Sequence, residues 1–169
     1  CPNTEHGKIM SFDPRTLDTL FQRLKQVARK PIWVKFSPYS DPGLLNEVAA
    51  VVNTAAPTIK AVVTCNTFAS AYAGKDAISP MDGFAGLSGP ALKPIAMGQV
   101  KQFRKLLAPD IYVVGVGGVT TGNDVVYYLD AVSDSRQMPS LRFWLATPSR
   151  LFESFLSEET GKRLNMYLD

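Results

Sequence analysis

The run Gly115-Val116-Gly117-Gly118-Val119-Thr120-Thr121-Gly122 follows an apolar stretch and leads into a helical pattern. Bare backbone N–H groups and a helix N-terminus would then point at one spot, an arrangement that cradles phosphate. A glycine-rich turn needed only for tight strand-to-helix geometry is the alternative. Leu145-Ala146-Thr147-Pro148-Ser149 is a second strand-to-helix turn, with hydroxyls, and turns after consecutive strands can share one phosphate.

Lys35 lies inside the apolar run Ile32-Trp33-Val34-Lys35-Phe36. An ammonium is costly to bury there unless it meets an anion or an electron-rich acceptor. The alternative is a lysine that snorkels to solvent. Asn66-Thr67 offers an amide with both donor and acceptor beside a hydroxyl, suited to a planar amide or carboxylate ligand and equally to an ordinary turn. Cys1 and Asn3 are open in the same way, because a thiol exchanges protons only where its pKa and access allow. His6, the single histidine, reads as a solvated loop residue, and Cys65 as a small buried apolar side chain.

The elements that must position these residues recur as strand-then-helix units. A first helix is signalled by Asp13 as cap, Pro14 at the first helical position, and a stripe of Leu17, Leu20, Phe21, Leu24 and Val27. Strand 32–36 follows, then Ser37 to Pro42 opens a helix carrying Leu44, Leu45, Val48, Val51 and Val52. Strand 59–64 precedes a loop through 88 and a helix from about Pro90. Strand 111–116 precedes a helix near 121–130, and strand 141–146 a helix near 148–157. Strands that are apolar almost throughout predict a parallel sheet covered by helices, with all the following loops on one edge. Periodicity alone leaves open whether these units make half a closed barrel or a small open sheet.

Two stretches break the regularity. The loop 65–89 is far longer than a usual strand-to-helix connection, and its Gly83, Gly86 and Gly89 point to order around a ligand. The polar insertion 133–140 reads as a surface loop. A hydrophobic content of 46% with 20% charged residues is that of a globular core, and the longest apolar runs are too short to span a bilayer. The net charge of +3 is spread along the helices, which argues against a nucleic-acid partner. Two cysteines form neither a disulfide framework nor a metal spacing, which fits a cytoplasmic protein. The opening Cys1-Pro2-Asn3 has no initiator Met and reads as a cut through a longer chain.

In this order, these pieces resemble the dihydroorotate dehydrogenases, particularly the soluble class that uses fumarate. The most specific part is Asp82-Gly83-Phe84-Ala85-Gly86-Leu87-Ser88-Gly89-Pro90-Ala91-Leu92-Lys93-Pro94-Ile95-Ala96. Supporting matches are Cys1-Pro2-Asn3, Val34 to Tyr39, Asn66-Thr67, and Gly115 to Asp124. The resemblance implies an α/β fold whose parallel βα units are the C-terminal half of a TIM (β/α)8 barrel. Residues 1–169 would then be one partial domain, with the N-terminal strands preceding Cys1.

By that resemblance Cys1 is the base that takes a proton from C5 of dihydroorotate while hydride passes from C6 to FMN. Asn3, Asn66 and Thr67 hydrogen-bond the substrate. Lys35 lies against the flavin N1/O2 edge, where its charge favours the reduced ring. Gly89, Gly117 and Gly118, with the Ala146-Thr147 turn, hold the ribityl phosphate. The small-molecule ligands are dihydroorotate and orotate, and the full-length protein is a homodimer. The family's last phosphate turn carries Gly where this chain has Ala146, and the insertion 133–140 replaces a compact Gly-Ala turn. A half barrel also exposes sheet edges and core, so this chain alone is expected to be inactive. The rival readings are another flavin-dependent pyrimidine oxidoreductase, an inactive relic serving as an assembly module, and a phosphate-binding barrel without flavin.

Overall fold

The structure is a computed structural model that describes residues 10–72, 74, 83–133 and 143–145. Cys1, Asn3, Ala146, Thr147, the helix expected near 148–157 and all of the insertion 133–140 except Ser133 lie outside the described residues.

Helix α1 spans Pro14–Val27, and Asp13 caps it by accepting hydrogen bonds from the Arg15 and Thr16 amides at 3.1 and 3.2 Å. Helix α2 spans Pro42–Thr54 and begins in the same way, with Asp41 accepting from the Gly43 amide at 2.8 Å. In both, proline at the first helical position has the φ a helix needs and no N–H to leave orphaned. Strands β1 (Ile32–Phe36) and β2 (Ile59–Thr64) stand where the apolar runs place them.

The long connection after β2 is not a plain loop. It holds an antiparallel hairpin of β3 (Phe68–Tyr72) and β4 (Phe84–Leu87), with Tyr72 opposite Phe84 and their rings 5.4 Å apart. A 3₁₀ turn at Gly89–Leu92 then leads into helix α3 (Lys93–Leu106). Strand β5 (Tyr112–Gly115), helix α4 (Gly122–Ser133) and strand β6 (Phe143–Leu145) complete the described chain.

The main sheet has the order β1-β2-β5-β6 and every pairing in it is parallel. Each strand is added beside the one before it, without the reversal of a doubly wound sheet. Successive helices touch, α1 with α2, α2 with α3 and α3 with α4, so they line one face of the sheet. This is the arc that right-handed crossovers build in a (β/α)8 barrel.

The register separates the two faces. Val34, Val62 and Val113 share the helix-facing row, and Val62 and Val113 are buried with Phe21, Leu45, Val48, Val100 and Phe103. Phe36 stacks on Phe103 with ring centroids 5.8 Å apart. Trp33, Ala61 and Tyr112 form a row on the opposite face, followed by Lys35, Val63 and Val114. Trp33 is 51% exposed there.

Helices α3 and α4 are also joined by charge. Lys93 Nζ lies 2.6 Å from Asp124 Oδ1, and the Asp124 side chain is only 4% exposed. Asp124 Oδ2 accepts from the Thr120 and Thr121 amides at 2.8 Å each and from the Thr120 hydroxyl at 3.0 Å. The Asp124 amide returns a bond to Thr121 Oγ1 at 3.3 Å, so α4 starts with a reciprocal cap. Burial alone would raise the Asp124 pKa, but the donors from Lys93, Thr120 and Thr121 outweigh it and hold the carboxyl well below the usual carboxylate range.

Phe103 is fully buried between α3 and the sheet, so Phe103→Ala should destabilise the fold by about 3–5 kcal/mol, read as the urea midpoint at constant slope. A depressed carboxylate contributes stability that is present above its unfolded pKa and is lost as pH falls through the folded one. Stability should therefore drop as pH falls below about 4. Asp124→Asn should lower stability at neutral pH and flatten that acid limb, and an unchanged limb in the variant would assign the acid loss to other groups.

Candidate functional site

The ladder of the sheet continues past the ends of its strands. The Asn66 amide donates to the Phe36 carbonyl at 2.8 Å, the Val116 amide to the Thr64 carbonyl at 2.8 Å, and the Cys65 amide to the Val116 carbonyl at 3.1 Å. These bonds fix the residues that follow β2 and β5 side by side, next to the end of β1, along the C-terminal edge. That edge is where ligands bind in parallel α/β sheets.

A cleft of about 220 Å³ opens at this edge. Six of the residues singled out by sequence line it together: Lys35, Asn66, Thr67, Gly89, Gly117 and Gly118. Lys35 enters from β1, on the sheet face away from the helices. Asn66 and Thr67 come from the turn after β2, Gly89 from the 3₁₀ turn before α3, and Gly117 and Gly118 from the turn after β5. Cys65, Ser88, Leu92, Val116 and Val119 complete the lining. Cys1, Asn3, Ala146 and Thr147 lie outside the described residues.

Gly118 shows why the sequence is glycine-rich here. Its φ is +66°, and a Cβ on it would lie 2.6 Å from the Gly89 carbonyl oxygen and 2.8 Å from Lys93 Cβ. The turn after β5 and the start of α3 are thus in backbone contact, and a side chain would force them apart. The carbonyl of the neighbouring Gly117 is held by the buried Tyr128 hydroxyl at 2.7 Å. Gly86 has a different task, since a Cβ there would fall 2.2 Å from Thr67 Oγ1. Its absence lets β4 lie against Thr67, so the hairpin forms a wall beside the amide–hydroxyl pair. Of the three glycines expected to order the long connection around a ligand, Gly89 lines the cleft and Gly86 makes room for a residue that does.

Cys65 is 2% exposed, and burial pushes its thiol up to about 11, with Lys35 pulling in the opposite direction. It is held as a neutral thiol, in keeping with its reading as a small apolar side chain. One end of the cleft therefore offers bare backbone and one side a cation, an amide and a hydroxyl. Such a lining suits a ligand with a phosphate at one end and a planar, hydrogen-bonding body. Sequence reasoning gave no role to Lys93, Asp124 or Tyr128, which tie this lining together. Their separation along the chain hides the contacts, although the reciprocal cap of Thr121 and Asp124 is a recognisable local signal.

Among the described residues no helix is long and apolar enough to cross a membrane, and no group of three or more His, Cys, Asp or Glu could hold a metal ion. Residues 1–137 match the family model described as dihydroorotate dehydrogenase. A protein of Solibacter usitatus named dihydroorotate dehydrogenase A (fumarate) is 36% identical over 168 residues, covering 97% of this chain and 52% of the relative. A protein of the same name from Streptococcus pyogenes serotype M1 is 32% identical over 132 residues, which is 76% of this chain and 42% of the relative. The catalytic subunit of dihydroorotate dehydrogenase B (NAD(+)) from Listeria welshimeri is 33% identical over 150 residues, 85% of this chain and 46% of the relative. The chain spans about half the length of the curated relatives it matches. Matched over most of its length, and with the residues that carry the resemblance gathered in one cleft, the chain belongs to the dihydroorotate dehydrogenase family.

Proposed function

We propose that this chain is the C-terminal half of an FMN-dependent oxidoreductase that oxidises dihydroorotate to orotate in pyrimidine synthesis. The observation that carries the reading is the meeting of Lys35, Asn66 and Thr67 with the bare backbone of Gly89, Gly117 and Gly118 in one cleft. The fit to FMN is tested at Gly89, where φ is +71° and a Cβ would meet nothing within 4 Å, so the bare backbone faces open space that a phosphate can fill. Backbone amides without neighbouring side chains are what a phosphate needs.

Bound FMN would supply the acceptor to which hydride from C6 of dihydroorotate passes. In this proposal Gly89, Gly117 and Gly118 hold the phosphate, together with Ala146 and Thr147. Lys35 places a fixed positive charge beside the N1/O2 edge of the ring, in a site where that charge need not reorganise. Asn66 and Thr67, with Asn3, orient the substrate through its amide groups and carboxylate. Cys1 takes the proton from C5. Fumarate is proposed as the final acceptor, supported by the relatives named for it. The strands of the other half would come from sequence beyond this chain, the whole protein acting as a cytoplasmic homodimer.

Anaerobic addition of dihydroorotate to the flavin-loaded polypeptide should bleach the visible flavin band, and fumarate should restore it. Bleaching by dihydrouracil in place of dihydroorotate would point to a different pyrimidine oxidoreductase, and no bleaching by either would overturn the proposal. Restoration by NAD(+) but not fumarate would move the chain toward the acceptor named for the Listeria relative. Lys35→Met should lower the rate of bleaching about 100-fold while flavin stays bound. Asn66→Ala should raise KM for dihydroorotate about tenfold with a smaller change in kcat. Equal losses of flavin in both variants would show that neither residue has the role given to it.

A further inference from the structure

One end of the cleft is a seam between two segments, residues 89–93 at the start of α3 and residues 117–124 leading into α4. At Gly118 the two backbones touch, with the Gly89 carbonyl oxygen and the Lys93 amide nitrogen 2.6 and 3.0 Å from where a Cβ would sit. The same seam is crossed by the Lys93–Asp124 ion pair at 2.6 Å. Asp124 in turn grips the 118–121 turn through the Thr120 and Thr121 amides. Neither Lys93 nor Asp124 lines the cleft.

We propose that Lys93 and Asp124 are positioning residues that set the spacing between Gly89 and Gly117–Gly118, and thereby the preference of the site for a flavin that carries a phosphate. The inference rests on the phosphate being held at this seam, as in the function proposed above. The pair is net neutral, so it adds no charge that would attract a phosphate by itself. With the Asp124 carboxylate enclosed, water is a poor substitute for the ammonium, so loss of Lys93 leaves a buried charge uncompensated, while loss of the Asp124 charge releases the partly exposed Lys93 side chain to solvent. The seam would then relax at the phosphate end of the cleft, while Lys35 and Asn66 are held separately by β1 and the turn after β2.

Electrostatics and positioning make opposite predictions for one variant. Lys93→Met leaves a buried carboxylate near the phosphate and would weaken its binding on either account. Asp124→Asn leaves the partly exposed Lys93 ammonium without its counter-charge, which on charge alone would tighten phosphate binding, whereas a relaxed seam weakens it.

Dissociation constants for FMN and for riboflavin should be measured by quenching of flavin fluorescence on the polypeptide that carries this chain. Lys93→Met and Asp124→Asn should each lower FMN affinity about tenfold or more, with riboflavin affinity unchanged. Lys93→Arg, which keeps the cation, should restore most of the FMN affinity. Parallel losses of FMN and riboflavin would reduce the pair to general support of the fold, and tighter FMN binding by Asp124→Asn would make its effect purely electrostatic. Either result overturns the inference. Should Lys93→Met fail to fold, Asp124→Asn, which keeps the side chain's size, carries the same comparison. If the parent polypeptide binds neither flavin, the proposed function fails, and the seam is then read with inorganic phosphate through the amide resonances of Gly89 and Gly118. Phosphate-dependent shifts that Lys93→Met abolishes uphold the positioning role, and shifts that are equal or absent in both overturn it.

Discussion

The parallel ladder holds the candidate site together because its hydrogen bonds run beyond the strands themselves. A strand end is ordinarily where the backbone is freed to wander, yet Asn66 is tied to Phe36, Val116 to Thr64 and Cys65 to Val116. The turns after β2 and β5, far apart in the sequence, are therefore presented at fixed spacing, and Lys35, one residue before the end of β1, lies within their reach. The precision of the cleft comes from backbone pairing, which depends little on side-chain identity. Side chains then decide what the cleft can hold.

The sheet is covered by helices on one face, and on the other Trp33 stands 51% exposed beside the row of Ala61 and Tyr112. Parallel sheets are stable with both faces covered, because each face carries apolar side chains. In a closed barrel the row of Trp33, Ala61 and Tyr112 and the row of Lys35, Val63 and Val114 would face inward, where layers of side chains fill the interior. The relatives are about twice the length of this chain, which is the length that closure needs. Lys35 sits in the row nearer the C-terminal edge. Its charge would then point at the mouth of the barrel and not into its packed centre.

What the sequence made legible was what local chemistry fixes. Asp13-Pro14 and Asp41-Pro42 announce their helices, since an acidic cap and a proline act within a few residues. The apolar runs mark the strands because parallel strands bury both faces. The β3–β4 hairpin was missed for the complementary reason. Phe68-Ala69-Ser70-Ala71-Tyr72 and Phe84-Ala85-Gly86-Leu87 are mostly exposed and poor in β-branched residues, so their strand state comes from pairing with each other. The ion pair of Lys93 and Asp124 was equally hidden, as 31 positions separate its members and each alone reads as a surface charge. Lys35 was ambiguous between ligand contact and solvent, and only its place beside Asn66 and Gly118 favours the ligand.

The composition of the cleft also constrains where the proton chemistry can reside. Among the described lining residues, Lys35 is a cation, Asn66 and Thr67 are neutral donors and acceptors, and Cys65 is kept protonated by burial. A general base works best when its pKa lies near the operating pH, and a thiol pushed up to about 11 is far from that. The described lining thus offers charge and hydrogen-bonding groups without supplying a base. A reaction that takes a proton from a ligand in this cleft would need a base from outside this set of residues.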